Sequence, residues 1–262
     1  MTTTPAAWAA AAPYATALRA GRGPLFLRRA DGWLLPLDVE RWCAHADPVD
    51  LDVLNRCEGA VLDVGCGPGR LVAELAARGR TVLGIDVSET AVHHAVRLGG
   101  QALRRSVFDS LPGEGRWGTV LLMDGNVGIG GDPRALLDRV AGLLTPGGLL
   151  IAETAPVDID ERVEVQVVDV IHSCGSDGAF PWARLGTPAL LRHARRAGWR
   201  AVGQWTAGGR CFVALRSLPH SRLRSSGGTP IASSSAEPPK STAVISSQRA
   251  RKPSGDNPVP RR

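Results

Sequence analysis

The sequence predicts an α/β fold: a seven-stranded sheet, mostly parallel with an antiparallel last strand, and helices on both faces. Three observations predict it. Short apolar runs alternate with stretches of helical period, the arrangement of a parallel sheet crossed by helices. The run V-L-D-V at 61–64 passes through Gly65, Gly67 and Gly69 straight into a helical stripe of Leu71, Val72, Leu75 and Ala76. Two β-prone runs at 201–206 and 210–215, joined by Ala207-Gly208-Gly209, close the region as an antiparallel pair.

Each element follows from local chemistry. An Ala-rich helix is expected within 5–20, carrying Trp8, Tyr14 and Leu18 and stopping at Gly21. L-F-L-R-R-A-D-G-W-L-L-P-L reads as a hairpin turning at Asp31-Gly32. Asp38 then caps a helix with Val39, Trp42 and Cys43, Pro48 ends it, and a brief helix at about 50–57 leads to the 61–64 strand. After the glycine helix, 81–85 is a strand with Asp86 at its carboxyl end, and Ser88 caps a helix that stops at Gly99-Gly100. Strands are expected at 101–107 and 117–123. Asp132 as cap and Pro133 at the first position start a helix with the apolar stripe Leu136, Leu137, Val140, Leu143 and Leu144. Residues 162–171 lean toward β structure, and a polar, glycine-rich loop follows up to Gly186. Thr187 caps the last helix, Pro188 opens it and Gly198 closes it.

The glycine turn is where a ligand should sit. Gly65, Gly67 and Gly69 can take positive φ and let backbone N–H groups approach a bound molecule. A dinucleotide site needs G-x-G-x-x-G; here Arg70 stands where the last glycine belongs, and Asp63 lies two residues before the first, where its charge opposes a pyrophosphate. A carboxylate there suits a ligand carrying an amine. Cys66, inside the turn, is a small packing residue.

D-V-G-C-G-P-G at 63–69 resembles the first motif of the Rossmann-like (class I) S-adenosylmethionine (SAM) dependent methyltransferases, and L-T-P-G-G-L-L-I-A-E at 144–153 resembles that family's turn into its fifth strand. The two motifs span about residues 60–153 in the family's order. The resemblance implies SAM as cofactor, with Asp63, Gly65, Cys66, Gly67 and Gly69 around its amino-acid end. Asp86 would then hold the ribose diol, as an acidic residue about 20 positions past the glycines does in this architecture, with Val87 beside it. It further implies that Asp109 contacts the adenine amino group, that Phe108 or Val107 lines the adenine slot, and that Met123, Asp124, Gly125 and Asn126 face the sulfonium and acceptor. The chain lacks [DNS]-P-P-[YF] after the fourth strand and any Pro-Cys pair, which weighs against base methylation.

Composition bounds the rest. At 262 residues and 44% hydrophobic, the chain can bury a core. The Ala-rich start has no basic n-region and is broken by Pro5 and Pro13, so it fits neither a signal peptide nor a membrane span. Five cysteines without a C-x-x-C pair argue against a disulfide framework and a zinc site and point to the cytoplasm; no metal is expected. From Ser217 on, eight basic residues face Glu237 and Asp256, which accounts for the whole net charge of +6. That Ser/Pro/Arg-rich stretch is expected to be disordered.

The domain reading is a helical and hairpin cap at 1–57, a SAM-binding domain at 58–216 with a substrate-side insertion at about 154–186, and the basic tail at 217–262. The leading functional expectation is transfer of a methyl group to a small-molecule acceptor. The alternatives are an RNA methyltransferase using the tail and a SAM-binding module without turnover. Nucleic acid and membrane are not the expected partners. Base candidates for a hydroxyl acceptor are His172, then Glu153 and Asp124.

Overall fold

The computed structural model describes residues 12–169, 174–175 and 178–217; Trp8, His172 and the tail from residue 218 lie outside them. In chain order the elements are α1 (Ala12–Ala20), β1 (Leu25–Arg29), β2 (Leu34–Leu37), α2 (Val39–Cys43), α3 (Pro48–Asn55), β3 (Val61–Val64), α4 (Arg70–Ala77), β4 (Val82–Asp86), α5 (Glu89–Arg97), β5 (Ala102–Arg104), β6 (Trp117–Leu122), α6 (Pro133–Leu143), β7 (Leu144–Thr154), β8 (Asp160–Asp169), β9 (Cys174–Gly175), β10 (Phe180–Leu185), α7 (Thr187–Arg196), β11 (Trp199–Ala207) and β12 (Arg210–Ser217).

The larger sheet has seven strands in the order β11-β12-β7-β6-β3-β4-β5. β3 to β7 run parallel, while β12 is antiparallel to both of its neighbours, so the last strand runs against the other six. β3 and β4 are buried at every position, as a parallel sheet covered on both faces requires. Successive residues of β6 and β7 feed opposite cores. Val120, Leu122, Leu150 and Ala152 pack with Leu136 and Leu190 on the α6/α7 side. Leu121 and Ile151 pack with Leu54, Leu71, Leu75 and Phe212 on the other side.

A second, antiparallel sheet was not expected. Its order is β10-β8-β1-β2, with β9 beside β8. The leading hairpin and the late insertion therefore build one structure: Arg28 donates to Gln166 Oε1 (3.0 Å) across 138 residues of sequence. Phe180–Leu185, read from the sequence as part of a polar loop, is a strand because it completes this sheet against β8. α1 lies against the sheet, with Tyr14, Leu18, Leu27, Val165 and Phe180 in a shared core.

Three boundaries also differ. Pro48 does not merely end a helix; it opens α3, with Asp47 and Asp50 forming a reciprocal capping box. β5 covers only 102–104, because Ser106 N–H donates to Asp109 Oδ2 (3.0 Å) and closes a turn. Thr187 is the first helical residue rather than the cap, and its hydroxyl bonds Thr154 Oγ1 (2.8 Å) instead.

The third glycine of the turn has a packing role. Gly69 sits at φ +93° at the start of α4, and an added Cβ would overlap the Ala95 side chain of α5. Gly69→Val, which combines that overlap with a strained backbone, should cost at least about 2 kcal/mol of stability. Urea denaturation of the variant checks this.

Candidate active site

The carboxyl end of β3 turns across the end of β4. Gly65 and Cys66 N–H groups both donate to Ile85 O (2.8 and 3.0 Å), and Gly67 N–H donates to Asp86 Oδ2 (2.9 Å). Ser88 N–H takes the other Asp86 oxygen (2.8 Å). A carboxylate offers about four lone pairs, so acceptor capacity remains for a ligand hydroxyl. From the side, Asn126 Nδ2 donates to Val64 O and Gly65 O (2.9 Å each), and an added Cβ at Gly65 would lie 2.6 Å from that nitrogen. The turn is thus clamped between β4 and the loop after β6, and Gly65 must be glycine for the clamp to close.

Beside it lies a ring of buried charge. Arg70, 4% exposed, donates to Asp50 (Nε to Oδ2, 2.8 Å) and to Asp124 (Nη1 to Oδ2, 2.8 Å). Arg210 forks onto Glu153 (Nε to Oε1, 2.9 Å; Nη2 to Oε2, 2.8 Å) and reaches Asp50 with Nη1 (2.8 Å). Glu153 Oε2 accepts the Asp124 N–H (2.8 Å), which closes the ring. Arg41 of α2 adds a further pair to Asp124 (2.7 Å). Three carboxylates meet three guanidinium groups, so burial is compensated charge for charge.

Two carboxyl groups stand outside this compensation. Burial pushes Asp63 up to about 7, against the pull of Arg70 and with the help of Asp124, Asp86 and Asp50. Burial likewise raises Asp86 to about 6 despite its backbone hydrogen bonds. For Asp124, burial pushes upward, but Arg70 and Arg41 more than offset it and hold the carboxyl below its ordinary range.

A cavity of about 660 Å³ opens over these groups, within the range typical of small-molecule sites. Gly65, Gly67 and Asp86 form one wall, and Leu27, Leu35, Leu37, Phe180 and Trp182 of the second sheet roof it. Phe180 and Trp182 meet edge to face at 6.2 Å.

Residues 61–148 match the family model described as a methyltransferase domain. The chain thus carries a methyltransferase domain, and its fold is that of SAM-dependent methyltransferases. Among curated proteins it is 32% identical over 120 residues to a ubiquinone biosynthesis O-methyltransferase of Alkalilimnicola ehrlichii, covering 41% of this chain and 48% of that one. It is 38% identical over 101 residues to the protein of the same name from a Caulobacter species, covering 36% and 40%. The chain thus spans about half the length, or less, of these relatives. Two solved structures share the fold. One is a SAM-dependent methyltransferase from Bacteroides fragilis in complex with S-adenosyl-L-homocysteine (TM-score 0.67, 20% identity, 83% of this chain and 98% of that one). The other is the Burkholderia thailandensis 1,6-didemethyltoxoflavin-N1-methyltransferase (TM-score 0.50, 19% identity, 65% and 77%).

Within the methyltransferase domain, the residues singled out from the sequence divide. Gly65, Cys66, Gly67, Asp86, Val87, Phe108, Asp124, Gly125, Asn126 and Glu153 all face the cavity. Gly69 packs on Ala95 instead, and Met123, 1% exposed, belongs to the core behind it. Asp63 is buried within β3 and is not among the residues lining the cavity. Asp109 is exposed and is not among the residues lining the cavity, and its Oδ2 accepts the Ser106 N–H (3.0 Å). Arg210 and the Asp124 N–H occupy the Glu153 oxygens, and the arginines that lower Asp124 make it a weak proton acceptor. His172 lies outside the described residues. No group of three or more His, Cys, Asp or Glu side chains among the described residues is placed to hold a metal ion, and no helix there is long and apolar enough to cross a membrane.

Asp50, Arg41, Arg210 and the pairing role of Arg70 were missed. The one available signal was Arg70 itself, a charged residue at the head of an otherwise apolar helical stripe.

The ring and the two uncompensated acids carry separate expectations. Asp50→Ala leaves Arg70 and Arg210 without their shared partner and should cost about 3–5 kcal/mol, read from urea denaturation. Asp63 and Asp86 ionise near 3.8 in the unfolded chain and near 7 and 6 in the fold, so the native state holds protons that the unfolded state has released. Stability without ligand should therefore fall as pH rises from about 4 to about 7. Thermal midpoints measured across that window should decline in the parent protein and decline less in Asp63→Asn.

Proposed function

We propose that the chain transfers a methyl group from SAM to a small, largely apolar acceptor held under the second sheet. The observation that carries this reading is one cavity with two unlike walls: Asp86 and the glycine turn on one side, and the roof of Leu27, Leu35, Leu37, Phe180 and Trp182 on the other.

The donor set fits the cofactor. Asp86 retains acceptor capacity for a ribose diol, Val87, Val107 and Phe108 offer an apolar slot for the base, and Asp63 and Asp86 bring negative charge to a ligand bearing an ammonium and a sulfonium. The Tyr14 hydroxyl lies 3.6 Å from where a Cβ at Gly67 would stand, so α1 covers the turn. SAM supplies a methyl group on a sulfonium, transferred by in-line displacement. The protein's part is to orient and to exclude water, for which effective molarities reach about 10⁵ to 10⁸ M. Because arginines occupy Asp124 and Glu153, acceptors that present a lone pair near neutral pH, such as an acidic phenol or an amine, suit the site better than an alkyl alcohol. His172 is retained as the candidate base for a hydroxyl acceptor. The cap at 1–57 and the insertion at 154–186 are read as the substrate side.

Calorimetry with S-adenosylhomocysteine tests the donor half. Binding to the parent chain should weaken about a hundredfold or more in Asp86→Ala, where charge-assisted hydrogen bonds are lost, and should also be lost in Gly67→Val. Unchanged affinity in both variants would overturn the reading. Release of S-adenosylhomocysteine with neutral alkylphenols, arylamines and RNA as acceptors then separates small-molecule transfer from RNA methylation and from binding without turnover.

A further inference from the structure

We propose that Arg210, which does not itself line the cavity, is a positioning residue that holds the glycine turn in its binding geometry. The path is continuous. Arg210 fixes both oxygens of Glu153 through Nε and Nη2, and its Nη1 is tied to Asp50. Glu153 Oε2, so fixed, accepts the N–H of Asp124 (2.8 Å). Asp124 has φ +55°, the one non-glycine residue among those described in the left-handed region, a conformation that costs an L-residue free energy and persists only where its surroundings impose it. The turn that follows delivers Asn126, whose N–H donates to Met123 O (2.9 Å) and whose side-chain amide clamps Val64 O and Gly65 O.

Stability alone does not require this arrangement, since apolar residues of similar volume replace buried ion networks at little cost. What apolar residues cannot do is accept the Asp124 N–H. Nor can lysine substitute for Arg210: an ammonium is a point charge, whereas three donors of one planar guanidinium must meet Glu153 twice and Asp50 once. Arg70 and Arg41 steady the same residue from its carboxylate. Arg210 stands 3.8 Å from that carboxylate as well, and through Glu153 it also acts on the backbone.

The effect on the Asp124 backbone stands by itself; the effect on ligand binding rests on the function proposed above. Amide hydrogen exchange without ligand tests the first. In Arg210→Met and Arg210→Lys, exchange at Asp124 should quicken about tenfold or more, the worth of one charge-assisted hydrogen bond, while amides of β3 and β4 keep their protection. If the Met variant does not fold, the Lys variant decides. S-adenosylhomocysteine affinity tests the second. It should fall about tenfold in Arg210→Met, but in an Asp124→Gly background, where positive φ is free, the same substitution should change affinity less than about twofold. Unaltered exchange at Asp124 in a folded variant overturns the proposal, as does an equal loss of affinity in both backgrounds. A parent chain that does not bind S-adenosylhomocysteine overturns the methyltransferase reading instead, and exchange at Asp124 still decides the role of Arg210.

Discussion

The structure depends on how it neutralises carboxylates crowded at the strand ends. Asp50, Asp63, Asp86 and Glu153 are buried, the Asp124 side chain is 13% exposed, and Asp124, Asp86 and Asp50 sit close enough to raise the protonation of Asp63. Removing such groups from water costs several kcal/mol each unless opposite charge comes with them. The chain supplies that charge selectively. Arg41, Arg70 and Arg210 serve Asp50, Asp124 and Glu153, while Asp63 and Asp86 receive only the more distant field of Arg70 and a few backbone amides. The same distribution that ties α2, α3, α4, β7 and β12 together leaves two carboxyl groups at the glycine turn whose ionisation is disfavoured for want of a positive partner. On the function proposed above, a cationic ligand would favour their ionisation, so that architecture and selectivity would come from one distribution of charge.

Legibility followed sequence distance. The helix starts at Asp38, Ser88 and Asp132 were readable because a cap and the N–H it accepts lie within three residues. The glycine turn and Asp86 were readable because a strand, a turn and a helix impose a spacing. The second sheet was not, because β1 and β8 meet only after the intervening domain has folded, and nothing in L-F-L-R-R announces its partner E-V-Q-V-V-D. The charge ring was hidden for the same reason: Asp50 and Arg210, 160 residues apart, share a hydrogen bond only in three dimensions. Asp109 carries a local and a distant reading at once, since its Oδ2 accepts the Ser106 N–H within its own turn while the family's pattern assigns the residue to the ligand.

This division has a consequence for specificity. The family match covers 61–148, and that stretch contains the glycine turn, Asp86 and the loop after β6. The roof comes from Leu25–Arg29, Leu34–Leu37 and Phe180–Leu185, all outside it. Likeness in the matched region therefore speaks to the methyl donor, whose shape is the same in every such enzyme, and not to the acceptor. The roof is also assembled from segments on either side of the matched stretch, so on the proposed function a substitution in β1 or β10 would reshape the acceptor side while β3 and β4, buried at every position, keep the donor side unchanged. Arg41 joins the halves: it stands on the roof side of the cavity and pairs with Asp124 on the donor side. On the proposed function the charge network would reach both substrates through that contact, and an acceptor that moved α2 would also move a partner of Asp124, the residue that leads into the Asn126 clamp.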